Sequence, residues 1–168
     1  MKRATLLCLG VWLLPFVSWA QSPDSIFAQG TIGALLDSWH AAAAAADEEK
    51  YFSYFTPDAV FLGTDATERW TRDEFRKYAH PHFAKGKAWS FKAVSRHVSF
   101  APDMRVAWFD ETLETPNLGP SRGSGVAVAT SSGWKIAQYN LSIPIPNDLV
   151  GDFKKRIEDL AKKSGEKK

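Results

Sequence analysis

The chain has 168 residues, 13% of them aromatic, and a formal charge of +2 at pH 7. Its one cysteine, Cys8, lies within the first twenty residues, so a chain that starts after them has neither a disulfide framework nor a redox pair. Loss of Lys2 and Arg3 with that segment brings the formal charge to 0, which argues against nucleic acid, and against a membrane once the leader is cleaved, as partners.

Residues 1–20 have the three parts of a secretory leader: basic Lys2 and Arg3, an apolar run from Leu6 to Val17, and Ser18-Trp19-Ala20 with small residues where a signal peptidase reads. Cleavage is expected before Gln21, with delivery to a periplasm or the exterior. The apolar run is too short to span a bilayer. About 150 residues suffice for one domain that buries roughly 70% of its unfolded surface without covalent staples.

From Ser25 to Ala46 the apolar residues Ile32, Leu35, Leu36, Trp39 and Ala43 recur at helical spacing, and the alanine run Ala41–Ala46 has high helix propensity. Asp47 can cap a second, shorter helix reaching Phe55, which Thr56-Pro57-Asp58 ends. A brief strand is predicted at Ala59–Leu62, then a polar loop from Gly63 to Glu68. Thr71 and Glu74 form a capping box for a third helix, which Pro81 should kink or end. Strands follow at Trp89–Phe100 and Met104–Thr115, and then a hairpin within Arg122–Pro146 turning at Ser131-Ser132-Gly133. Pro144 and Pro146 stop the sheet. Asn147 can cap a last helix with Leu149, Phe153, Ile157 and Leu160 on one face, before a basic tail from Lys162. Helices followed by a run of antiparallel strands mean α+β.

Several blocks resemble those of a SnoaL-like domain, in the nuclear transport factor 2-like superfamily. They are Phe61-Leu62-Gly63-Thr64-Asp65, Glu68-Arg69-Trp70, Arg96-His97-Val98, Ala107-Trp108-Phe109-Asp110-Glu111, Arg122-Gly123-Ser124-Gly125-Val126 and Trp134 to Leu141. The resemblance spans about residues 30–148. It implies a cone-shaped, curled antiparallel sheet wrapped round the long N-terminal helix, with a cavity at the open end. The expected organisation is a leader over 1–20, the SnoaL-like domain over 21–148, and a C-terminal helix and basic tail over 149–168. Most enzymes of the superfamily use carboxylates or histidines without a metal. None of their catalytic sets matches this chain residue by residue.

The candidate site follows from strand alternation. In the last strand Trp134, Ile136, Gln138 and Asn140 share a side, as do Trp108 and Asp110 in theirs, with Glu111 opposite. If both sides face the long helix, Trp39 and His40 look back at them. Trp108, Trp134 and Ile136 then make an apolar floor, and Asp110, Gln138 and Asn140 a polar end. Asp110 beside an indole is a candidate general base, or else a carboxylate paired to Arg122, Arg105 or a backbone N–H. His40 is a candidate acid or base, or else a helix-edge histidine. Asp65, Glu68, Arg69 and Trp70 form either a substrate-orienting rim or a pinned loop. Arg122, next to Gly123 and Gly125, suits a ligand carboxylate or marks a bulge. His80-Pro81-His82 lacks the spacing and the third donor of a metal site, and no cofactor motif is present.

Five tryptophans remain after the leader, which suits a cavity with large aromatic walls and a small apolar or aromatic ligand. The expected function is ligand binding. The alternatives are a cofactor-free lyase, isomerase or hydrolase using Asp110 or His40, and an assembly module with a vestigial pocket. Apolar residues at both parities of the strands, such as Val106 and Trp108 against Ala107 and Phe109, call for cover on both faces and hence a homodimer through the outer face.

Overall fold

The computed structural model describes residues 23–165. The leader and its cleavage before Gln21 lie outside them. Helix α1 spans Pro23–Ala44 and α2 spans Glu48–Ser53, with the Asp47 side chain accepting from the Lys50 amide at 3.0 Å. Strand β1 (Phe55–Leu62) leads to β2 (Arg69–Thr71) and α3 (Arg72–Ala84). Strands β3 (Lys92–Phe100), β4 (Val106–Thr115), β5 (Gly119–Thr130) and β6 (Gly133–Ser142) follow. A short 3-10 turn at Asn147–Leu149 precedes α4 (Val150–Ser164).

The six strands form one curled, unclosed sheet in the order β2-β1-β6-β5-β4-β3. It is mixed rather than purely antiparallel, because β1 lies parallel to β6. Hairpin spacing fixes direction for β3 to β6. It carries no information about β1, which α3 separates from them in the chain. Strand β1 begins at Phe55 and not at Ala59. Its pairing is interrupted between Phe55 and Val60, where Pro57 cannot donate to the ladder. Helix α3 starts on the capping box, Thr71 and Glu74 bonding reciprocally, and runs through Pro81 without stopping. Pro81 is on the solvent side, and Ala79 and Phe83 on either side of it are buried, which holds the last turn in place. Residues 85–91, including Trp89, form a connection rather than the start of β3.

Helix α1 lies along the concave face, burying Ile32, Leu36, Trp39 and Ala43 at successive turns. The inward residues of β4 are Ala107, Phe109, Glu111, Leu113 and Thr115, each buried. Their partners on β5 are Ala127, Gly125, Gly123, Ser121 and Gly119. Two of these glycines are required by close approach. A Cβ at Gly123 would overlap the Tyr139 hydroxyl, and one at Gly125 would meet the Gln138 carbonyl and the Phe109 ring. Replacing Gly123 by Ala is expected to destabilise the fold by about 1–3 kcal/mol through displacement of Tyr139, read as a lower midpoint in urea with an unchanged slope.

Candidate functional site

A cavity of ≈ 320 Å³ opens between α1, α3, the 85–91 connection, strands β1, β2 and β6, and the turn between β4 and β5. Nine aromatic side chains line it: Trp39, Tyr51, Phe61, Trp70, Phe75, Tyr78, Trp89, Phe91 and Tyr139. They pack against one another. Phe61 stacks on Phe75 at 3.8 Å, Trp70 on Tyr78 at 4.8 Å and Trp39 on Tyr51 at 5.0 Å between ring centroids. Local structure sets this wall. The first turn of α3 positions Phe75, its second turn Tyr78, and the two-residue alternation of β6 supplies Tyr139 and Leu141. Polar groups at the lining are few: Thr64, Glu68, His82, Thr115 and Asn117.

Beneath Tyr139 lies a buried polar network centred on Glu111, which is 0% exposed. Its Oε1 accepts from the Tyr139 hydroxyl at 3.0 Å and is 2.8 Å from His40 Nε2. Its Oε2 accepts from Arg96 Nε and Nη2 at 2.9 and 2.7 Å. Arg96 in turn donates to the Gly33 carbonyl and to Asp37, both on α1. Burial pushes the Glu111 carboxyl up, but hydrogen bonds and charge from His40 and Arg96 outweigh it and hold the group below its ordinary value. Burial, reinforced by the Glu111 charge, raises the Tyr139 phenol well above its own.

The structure separates the expected site residues into four groups. Trp39 and Trp70 line the cavity, and His40 stands directly behind it on Glu111. Trp134 and Ile136 belong to the packed core, Ile136 at 0% exposure, and not to the cavity lining. Gln138 and Asn140 are a correction. The β5–β6 register slips between Val126 and Ala127, so Ala137 is an extra residue in β6, and the bulge reverses the side on which later residues project. Tyr139 and Leu141 therefore point into the cavity, and Gln138 and Asn140 to the convex face.

Trp108 and Asp110 are corrected likewise. The inward parity of β4 belongs to Phe109 and Glu111, so Trp108 is 50% exposed and the Asp110 carboxylate meets His97, at 3.3 Å, on the outer face. Arg122 is exposed on that same outer side. Asp65 and Arg69 are exposed and off the cavity lining. Asp65 closes its own turn by accepting from the Thr67 amide and hydroxyl at 2.8 and 2.6 Å, and Glu68 accepts from the Asp65 amide at 3.1 Å, so Arg69 does not pin the loop. The residues missed by alternation are Glu111, Arg96, Tyr139 and most of the aromatic wall. The available signal was the pair Gly123 and Gly125 in the strand before Tyr139, which leaves room for a large inward side chain.

Replacing Glu111 by Gln removes the buried carboxylate on which Arg96, His40 and Tyr139 converge, leaving Arg96 with Asp37 as its remaining acid partner, and is expected to cost about 3 kcal/mol or more. The folded carboxyl titrates below the unfolded value of 4.5. Its stabilisation is therefore complete above that pH and is lost as pH falls through the folded value. Chemical denaturation from pH 7 to 3 should show this acid-side loss in the parent chain and a shallower one in Glu111→Gln.

Residues 32–146 match the SnoaL-like domain family. No curated protein matches the chain. Among solved structures it is similar to an NTF2-like protein of unknown function from Pseudomonas putida, at 14% identity and TM-score 0.62, covering 73% of this chain and 90% of that one. A putative aromatic ring hydroxylase from Novosphingobium aromaticivorans is similar at 20% identity and TM-score 0.62, over 75% and 94%. A putative scytalone dehydratase from the same organism is similar at 11% identity and TM-score 0.62, over 72% and 87%. At these identities the likeness is one of fold, an NTF2-like one, and the family match over most of the chain gives the identity: the protein belongs to the SnoaL-like domain family.

Proposed function

We propose that this protein is an exported small-molecule-binding domain whose ligand is flat and largely aromatic. The observation that carries the reading is the wall of nine aromatic side chains around a cavity of ≈ 320 Å³. A cavity of that size holds a compact ring system, and stacked aromatic faces gain most from a planar apolar guest. Polar selection falls to the few groups at the lining, Thr64, Glu68, His82, Thr115 and Asn117. The leader over residues 1–20 would deliver the domain to a periplasm or the exterior.

A second reading, cofactor-free lyase or isomerase chemistry, has one observation in its favour. Tyr139 both lines the cavity and donates to Glu111, which His40 also contacts, so the cavity wall is hydrogen-bonded to a buried carboxylate–imidazole pair. Both oxygens of Glu111 are already engaged, however, and Asp110 is on the opposite face. A proton leaving a ligand would reach that pair through the Tyr139 hydroxyl.

Titration with 1-naphthol, followed by tryptophan fluorescence, tests the binding reading. Tyr78, 49% exposed at the lining, can be replaced by Ala with little effect on folding, and binding should weaken by about 1–2 kcal/mol. Gln138→Leu, outside the cavity, should bind as the parent does. Saturable binding absent in the parent, or equal in Tyr78→Ala, contradicts the proposal. Turnover of a bound ligand that Tyr139→Phe abolishes without loss of binding would favour the second reading.

We further propose that two copies pair through the convex face of the sheet. Trp108 stands half exposed there, opposite Val126 on β5, and contact with a second copy would take its indole out of water. Sedimentation at micromolar concentration should show a dimer for the parent and a monomer for Trp108→Glu, with the cavity residues untouched.

A further inference from the structure

The formal balance of the chain after the leader is 0, but the charge is not evenly spread. Helix α4 carries Lys154, Lys155, Arg156, Lys162 and Lys163 against Asp152, Glu158 and Asp159. With 3.6 residues per turn, Leu149, Val150, Phe153 and Ile157 fall on one side of the 3-10 turn and helix. Those four are 44, 50, 41 and 63% exposed. Lys154 borders the stripe on one edge, and Arg156 and Lys163 border it on the other. Glu158 points away on the far side, and Asp152 and Asp159 sit behind Arg156 and Lys163. The acids are thus set back from the stripe, and cations stand at its margins.

The helix packs chiefly on the turn that precedes it. Ile143-Pro144-Ile145-Pro146 leads out of β6, and its two prolines favour an extended link over a chain that folds back onto the sheet. Ile143 and Ile145 are themselves 42 and 37% exposed. No described helix is long and apolar enough to cross a membrane.

We propose that α4 is an interfacial anchor that lies on an anionic lipid surface, its Leu149–Val150–Phe153–Ile157 stripe in the acyl boundary and Lys154, Arg156 and Lys163 at the headgroups. The arrangement is the one such a surface selects. Long basic side chains bury their stems beside the stripe and reach up to phosphate, while acids are kept away from it. A contact with another copy of this chain, whose helix carries the same cations at its margins, would set like charges against one another. The exposed Lys154–Glu158 and Lys162–Asp159 pairs, at 3.8 Å each, are too weak to hold those lysines back. The link is short, and Leu141, two residues before Ile143, lines the cavity. An anchored domain therefore holds the cavity end of its sheet close to the lipid.

Flotation of the chain from Gln21 with vesicles of equal parts phosphatidylcholine and phosphatidylglycerol tests this. The protein should rise with them at physiological salt, and about tenfold less should bind pure phosphatidylcholine vesicles. Phe153→Asp with Ile157→Asp should reduce binding about tenfold or more, and Lys154→Gln with Arg156→Gln and Lys163→Gln should bring it to the phosphatidylcholine level. These positions are exposed, and circular dichroism and thermal melting would confirm that both variants keep the fold. A parent chain that stays at the bottom, or flotation unchanged by either variant, overturns the proposal. So does a parent that fails to float while Phe153→Asp with Ile157→Asp turns a dimer into a monomer, since the stripe would then be a contact between copies.

Discussion

A single buried carboxylate ties this fold together. Glu111 is on the concave side of the fourth strand, out of contact with water, and moving such a charge from solvent costs several kcal/mol unless it is fully paired. Donors from three other elements meet it: Arg96 from β3, Tyr139 from β6, and His40 from α1. Arg96 extends the same network to Gly33 and Asp37 on α1. The helix is therefore fixed along the sheet in one position by directional bonds, where apolar packing alone would tolerate small slides. Removing Glu111 would take the shared acceptor from all three donors at once, so the arrangement is expensive to change at its centre and specifies a single geometry.

The cavity depends on that arrangement through Tyr139. Its ring stands at the cavity wall and its hydroxyl reaches Glu111 across the surface of β5, where Gly123 leaves space for it. The bulge at Ala137 brings Tyr139 and Leu141 to the inside after Ile136 has already taken an inward place in the core. One extra residue in β6 thus divides the strand into a part that fills the core and a part that lines the cavity. The aromatic stack of Phe61, Phe75, Trp70 and Tyr78 completes the wall from β1, β2 and α3. Polar structure lies behind the wall and aromatic surface in front of it. That division suits a site that holds a planar guest by contact area.

Outside the cone the two unusual features are both apolar. Trp108 stands on the convex face of the sheet, and α4 extends beyond the domain with a stripe of its own. They are chemically distinct. The surroundings of Trp108 mix a histidine–aspartate pair with valine and serine, as a contact between folded surfaces does. The α4 stripe is bordered by cations, as a contact with phosphate headgroups is. Under the two proposals the convex face would meet another copy of the chain and the projecting helix would meet lipid.

The sequence by itself determined the α+β class, the long N-terminal helix with its Ile32, Leu36, Trp39 and Ala43 face, the capping box at Thr71 and Glu74, the final amphipathic helix and the family. Each is written in local spacing, over a few turns of helix or a run of alternating residues, so neighbours in the chain suffice to read it. Only the tertiary structure decided which side of each strand faces the helix. Val106 to Phe109 are apolar at both parities, so alternation places Trp108 and Asp110 together but cannot say that Phe109 and Glu111 are the inward pair. In β6 alternation itself fails, because the register against β5 inserts Ala137 and turns Gln138 and Asn140 outward. A bulge is a property of two strands in contact, and no pattern within one of them records it. The parallel placement of β1 beside β6 and the meeting of His40, Arg96, Glu111 and Tyr139 at one carboxylate have the same origin: they join residues far apart in the chain, and the energy that selects them exists only once the sheet has curled around α1.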